Sequence, residues 1–176
     1  MAYLRNVCRS AEFKEQREIL SATTYPLVFS FRDAVSGNGF VAYVAVCGRV
    51  LLTDEGDGDI WMFGVQPGGI AGGGRERSEA FREFKKSYLS VFFDIAAEAA
   101  SFEDFEKSVK LFFSEVNEPN LDAWTQSLAE VRAGKLSLSD LQAMDSDSCP
   151  PKIEVRRIDT QATASDNSFD EIREAA

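Results

Sequence analysis

Hydrophobic and polar positions change their period along this 176-residue chain. Between Ser10 and Leu20, the spacing of Phe13, Arg17 and Leu20, with charges between them, predicts a short amphipathic helix inside an N-terminal extension, residues 1–24. That helix reads either as a docking arm or as an element packed on its own domain. From Tyr25 to Gln66 the period is two and the residues are β-branched and aromatic. Tyr25–Phe31, Phe40–Val46, Arg49–Thr53 and Ile60–Gln66 are the predicted strands, with turns over Arg32–Asn38 and Asp54–Asp59 and a link through Gly48. Short connections between successive strands imply an antiparallel meander.

Pro67–Gly74, PGGIAGGG, reads as a glycine-rich connection from strand to helix. A helical period then runs from Arg75 to Ala100, where Phe81, Phe84, Tyr88, Val91, Phe92 and Ile95 form a wide apolar face suited to covering a sheet. A second helix is predicted over Phe102–Val116, with Ser101 as its N-cap and Asp104 in the capping-box position. Asn117–Asn120 reads as a break, Leu121–Ala133 as a third helix closed by Gly134, and Ser137–Met144 as a further helical turn or two. Lys152–Ile158, KIEVRRI, alternates as a returning edge strand does; the polar remainder to Ala176 reads as a mobile tail with a terminal helical turn. The expected class is α+β. A meander of three to four strands lies under a long helix in residues 25–100, a helical annex spans 101–144, and a returning strand and acidic tail span 145–176.

Charge narrows the partners. Nineteen Lys and Arg against 29 Asp and Glu give a net charge of −10, so the chain alone is not expected to bind nucleic acid. The segment 101–142, with eight acids and four bases, is opposite in sign to a phosphate-contacting module. No apolar run approaches the ~20 residues that span a bilayer, and the N-terminus lacks a secretory apolar region, so a cytoplasmic protein without membrane contact is expected. The chain has no histidine, which removes imidazole catalysis. Cys8, Cys47 and Cys149 are odd in number and far apart, and they suggest neither a disulfide framework nor a zinc site; Cys47 reads as strand packing.

Candidate chemistry fails on spacing. DEGDGD places Gly56 and Gly58 where a calcium loop needs ligands. The glycine-rich stretch lacks the lysine of a P-loop, and Arg77 falls where a dinucleotide fingerprint needs its third glycine. Asp33, the acids of 54–59, Glu79, Glu83 and Asp94 do not assemble on one surface as a metal-dependent nuclease requires. The expectation is no catalytic residue, no metal and no cofactor.

Several short motifs do carry a likeness. Tyr25-Pro26, then Gly39-Phe40-Val41-Ala42-Tyr43-Val44, then Pro67-Gly68, Gly74 and Glu79-Ala80 stand in the order found in HicB-like antitoxins, which this chain resembles over about residues 25–97. The chain departs from that pattern in a longer Pro-Gly to Glu-Ala spacing, in Glu76 where a threonine is favoured, and in the added Arg49–Asp59 stretch. The resemblance implies a pared-down ribonuclease H-like fold without catalytic carboxylates. It also implies a non-catalytic protein-binding activity that neutralises a small, basic ribonuclease toxin. Two alternatives stay open: the same fold used for self-association or another partner, and a metal-dependent nuclease. A homodimer is expected, with Phe102, Phe105, Phe112, Phe113 and Trp124 as its candidate interface, because those helices carry more apolar surface than one small sheet obviously needs. The competing explanation is that they cap the sheet.

Overall fold

A computed structural model describes residues 22–56, 58–137, 143–144, 150–158 and 171–175. The helix expected over Ser10–Leu20, nearly all of the N-terminal extension, Cys8 and Cys149 lie outside those residues. The fold is α+β, a curled and mostly antiparallel sheet with helices on its faces.

Two long strands form its centre. β1 (Thr23–Gly37) pairs with β2 (Phe40–Asp54) over their whole length, from Thr23↔Asp54 to Gly37↔Phe40. The expected turn over Arg32–Asn38 therefore contracts to Asn38-Gly39, with Gly39 at φ 81°. Alternation decides this: Phe31 and Val35 are both buried, so the core needs the strand to continue past Arg32. The separate strand expected at Arg49–Thr53 is the second half of β2. Gly48 joins the halves without a turn, lying in register with Phe29, whose ring occupies the space a Cβ would take.

One edge of β2 serves two partners. β3 (Ile60–Gln66) pairs with Arg49–Asp54, and β6 (Lys152–Arg157) pairs antiparallel with Ala42–Cys47, as a returning KIEVRRI strand should. The changeover falls at Gly48, and a register shift between Arg49 and Val50 follows it within the β3 pairing. β4 (Ala71–Gly74) pairs with β3. The glycine-rich connection thus contains a strand that alternation does not reveal, because glycines have no side chains to alternate. Beyond β1 lie β7 (Glu171–Ala175) and the short β5 (Ala143–Met144). The terminal segment is a strand at 171–175 rather than a helical turn, since the free edge of β1 at Leu27–Ser30 takes up its backbone. Ala143–Met144 is likewise strand rather than helix.

α1 (Arg77–Glu98), α2 (Phe102–Ser114) and α3 (Glu118–Arg132) follow the predicted order. Ser101 caps α2 by accepting from the Asp104 N–H at 3.2 Å. Asn117 caps α3 in the same way (Asn120 N–H to Oδ1, 3.1 Å), so the supposed break is a helix start. α1 and α2 cover one face of the sheet. Phe84, Tyr88 and Phe92 are buried among Phe29, Phe31, Val44 and Leu52, while Phe81 is half-buried at the margin. Phe29 meets Phe84 at 5.1 Å and Phe31 meets Tyr88 at 5.2 Å, both edge to face. α3 lies on the opposite face and forms a second core with Val28, Leu51 and Val65 around Trp124 and Leu128.

Candidate functional site: an open sheet edge beside α1

The motif residues Pro67, Gly68, Gly74, Glu79 and Ala80 fall together around β4. Pro67 and Gly68 turn the chain out of β3, and the Gly68 N–H donates to the Glu115 carbonyl (3.1 Å) where α2 gives way to α3. The Gly64 N–H donates to the Ile70 carbonyl (2.8 Å), closing that turn. Gly74 lies against Glu79 and Ala80 at the start of α1, and Glu79 accepts from the Arg75 N–H at 3.0 Å. Glu76, standing where the resembled family favours threonine, makes no side-chain cap.

β4 itself is clasped from both faces. On one side Gly72 meets the backbone of α1 at Phe84, so α1 sits directly on the strand. On the other the Trp61 indole lies across Gly73, where a Cβ would come within 2.9 Å of the ring. Trp61 stacks on Phe63 with centroids 6.0 Å apart and remains 38% exposed. Among the described residues, no strand pairs with the outer edge of β4. That edge borders a solvent-open groove of about 470 Å³ lined by Asp59, Trp61, Arg75, Glu79, Glu83 and Ser87 along with the glycine backbone. Three acids face one base there.

The aromatic set expected at an interface lies elsewhere. Phe105, Phe113 and Trp124 are buried, and Phe102 and Phe112 are half-buried against the main core. Phe40 packs on Phe102 and Phe105, and Phe112 packs on Tyr88 and Phe92. The Trp124 indole N–H donates to the Leu27 carbonyl (3.2 Å), and Arg49 stacks over the ring at 4.7 Å. These five side chains cap the two faces of the sheet. The exposed large apolar residues on α1 and α2 are Phe93 and Leu111. Surplus aromatic content could not separate these outcomes, because the second core on the far face is invisible until the topology is known.

Cys47 is disulfide-bonded rather than simply packed. The other cysteines of the chain, Cys8 and Cys149, lie outside the described residues. Asp33 pairs with Lys85 at 3.5 Å, and among the described residues no three potential ligands gather around a metal position. The DEGDGD stretch is a hairpin connection in which the Gly56 N–H donates to Asp54 at 2.9 Å. No described helix is long and apolar enough to cross a membrane.

Compared with family models, with curated proteins and with solved structures, the chain finds no match.

Proposed function

We propose that this chain is a non-catalytic protein-binding module that masks a small basic protein, as the HicB-like antitoxins it resembles mask a ribonuclease toxin. The observation that carries the reading is the β4 edge. The residues of the resemblance build a sheet margin that is unpaired among the described residues, with Glu79 and Glu83 of α1 beside it. An unpaired edge offers backbone donors and acceptors to another chain, and a net charge of −10 favours encounter with a basic partner.

The test is purification of the tagged full chain from its native host, with mass spectrometry of stoichiometric companions and an assay of RNA cleavage. A small basic protein whose ribonuclease activity disappears on adding the chain is the expected result. An acidic companion, or none, contradicts it. The second reading, self-association, draws on Phe93 (45% exposed) and Leu111 (67% exposed). It requires a light-scattering mass of twice 19.5 kDa that returns to 19.5 kDa in Leu111→Asp.

A further inference from the structure

The β4 edge has a geometry more specific than an open strand. α1 runs alongside β4 in the opposite direction: Gly74 meets Glu79 and Ala80, and two residues earlier Gly72 meets Ala80 and Phe84. Glu79, Glu83 and Ser87 therefore follow one another along α1 at four-residue intervals, all facing the groove beside the strand. Four helical residues advance about 6 Å, and alternate residues of a strand advance about 6.6 Å. A chain laid against β4 would bring every second side chain opposite successive members of that row. Its other side chains would point toward the exposed indole of Trp61. β4 contributes only a methyl group at Ala71 and hydrogens at Gly72–Gly74, so nothing on the strand obstructs approach from the side.

We infer that β4 is a strand-addition site for an extended segment of a basic protein, one that alternates Lys or Arg toward Glu79 and Glu83 with apolar residues toward Trp61. Backbone hydrogen bonds to β4 supply the affinity and the two walls supply the selection. Glu79 and Glu83 now pair with Arg82 (3.7 Å) and Lys86 (3.3 Å), on side chains 44% and 41% exposed. Exposed pairs of this kind contribute little and exchange readily for an incoming cation. The inference rests on the proposed function for the identity of the partner, but the site is testable without it.

The probe is a fluorescein-labelled octapeptide of alternating lysine and valine, titrated into the full chain by anisotropy. Trp61 emission is followed in parallel; Trp124 is buried and serves as the silent reference. Saturable binding is expected, together with a Trp61 signal absent in Trp61→Phe. N-methylation of the peptide on the edge facing β4, or Glu83→Lys in the protein, should weaken binding at least about tenfold. The glutamate–valine peptide should not bind. Equal binding by the N-methylated or the acidic peptide overturns the inference, as does no saturation by the lysine peptide. So does a dimer of the chain that Glu83→Lys disperses and the peptide does not. If peptide binding fails while the native basic partner is still captured, the site falls and the proposed function stands. If the peptide binds and no basic protein accompanies the chain, the site stands and the proposed function falls.

Discussion

Tyr88 sits at the centre of the aromatic cluster, touching Phe29, Phe31, Phe84, Phe92 and Phe112. Its hydroxyl is buried without a hydrogen-bond partner among the described residues, and burial pushes its pKa well above the ordinary tyrosine value. A buried hydroxyl left unpaired costs about 1–3 kcal/mol. Tyr88→Phe, which keeps the ring and removes the oxygen, should therefore raise stability by about 1 kcal/mol in urea unfolding. The pH dependence has a definite sign. A folded-state pKa above the unfolded value makes this contribution complete below about pH 10 and progressively lost above it, as the unfolded chain ionises first. Alkaline destabilisation should be weaker in Tyr88→Phe than in the parent chain. Phe84 is also fully buried, and Phe84→Ala should cost about 3–5 kcal/mol through lost burial and a residual cavity. A loss of only a few tenths would mean that α1 does not lie on the sheet at that point.

At the scale of elements, β4 and α1 hold each other through glycine. A Cβ on Gly72 would overlap the backbone of Phe84, which is not the flexible tip of a side chain, so Gly72→Ala must push α1 outward. Overpacking of that kind costs about 1–3 kcal/mol. Gly69, which has nothing near its would-be Cβ, provides the control. Thermal unfolding of Gly72→Ala and Gly69→Ala separates close approach from a general effect of losing glycine, and equal melting temperatures would refute the packing described for β4. The helices were readable from periodicity, since each buries one face and exposes the other, and the central strands from their β-branched and aromatic residues, although α3 buries the second face of both as well. Phe84, Tyr88 and Phe92 mark the α1 face that periodicity shows, whereas α2 buries Phe105, Val109 and Phe113 and leaves Phe112 half-buried. β4 was not readable. A strand of Ala and three glycines carries no pattern, and only the backbone of β3 shows that it is one.

Across the whole molecule, the disulfide at Cys47 is a covalent restraint on β2. Cross-links of this kind stabilise by about 2–4 kcal/mol, chiefly by restricting the unfolded chain. Reduction should lower the unfolding midpoint accordingly, and non-reducing peptide mapping should show Cys47 joined to Cys8 or Cys149, with one thiol left free. Three free thiols in the unreduced protein would refute the bond. The charge distribution is also a whole-molecule property. The chain is strongly acidic, yet the face of β1, β2 and β6 away from α1 carries Arg32, Lys152 and Arg156 with Glu154 between them. Arg156 is engaged with Glu154 at 2.8 Å and stacked over Tyr43 at 5.0 Å, so the face is less cationic than its residue count suggests.

What the sequence determined by itself was the α+β class, the three helices with Ser101 and Gly134 at two of their ends, the greater part of the central strands, and the lack of spacing for familiar catalytic motifs. Each of these depends on neighbours within a few positions, where helical and strand periods act directly. The motif residues Pro67, Gly68, Gly74, Glu79 and Ala80 were visible as a pattern, but not as the frame of an open edge. Tertiary structure alone decided that β2 divides one edge between β3 and β6, and that α3 builds a second core around Trp124. It also placed Glu79 and Glu83 beside the glycine strand. Those outcomes turn on contacts between segments far apart in sequence. An aromatic residue has the same local pattern whether it faces a partner or a sheet, and which of the two it meets is settled only when the chain closes on itself.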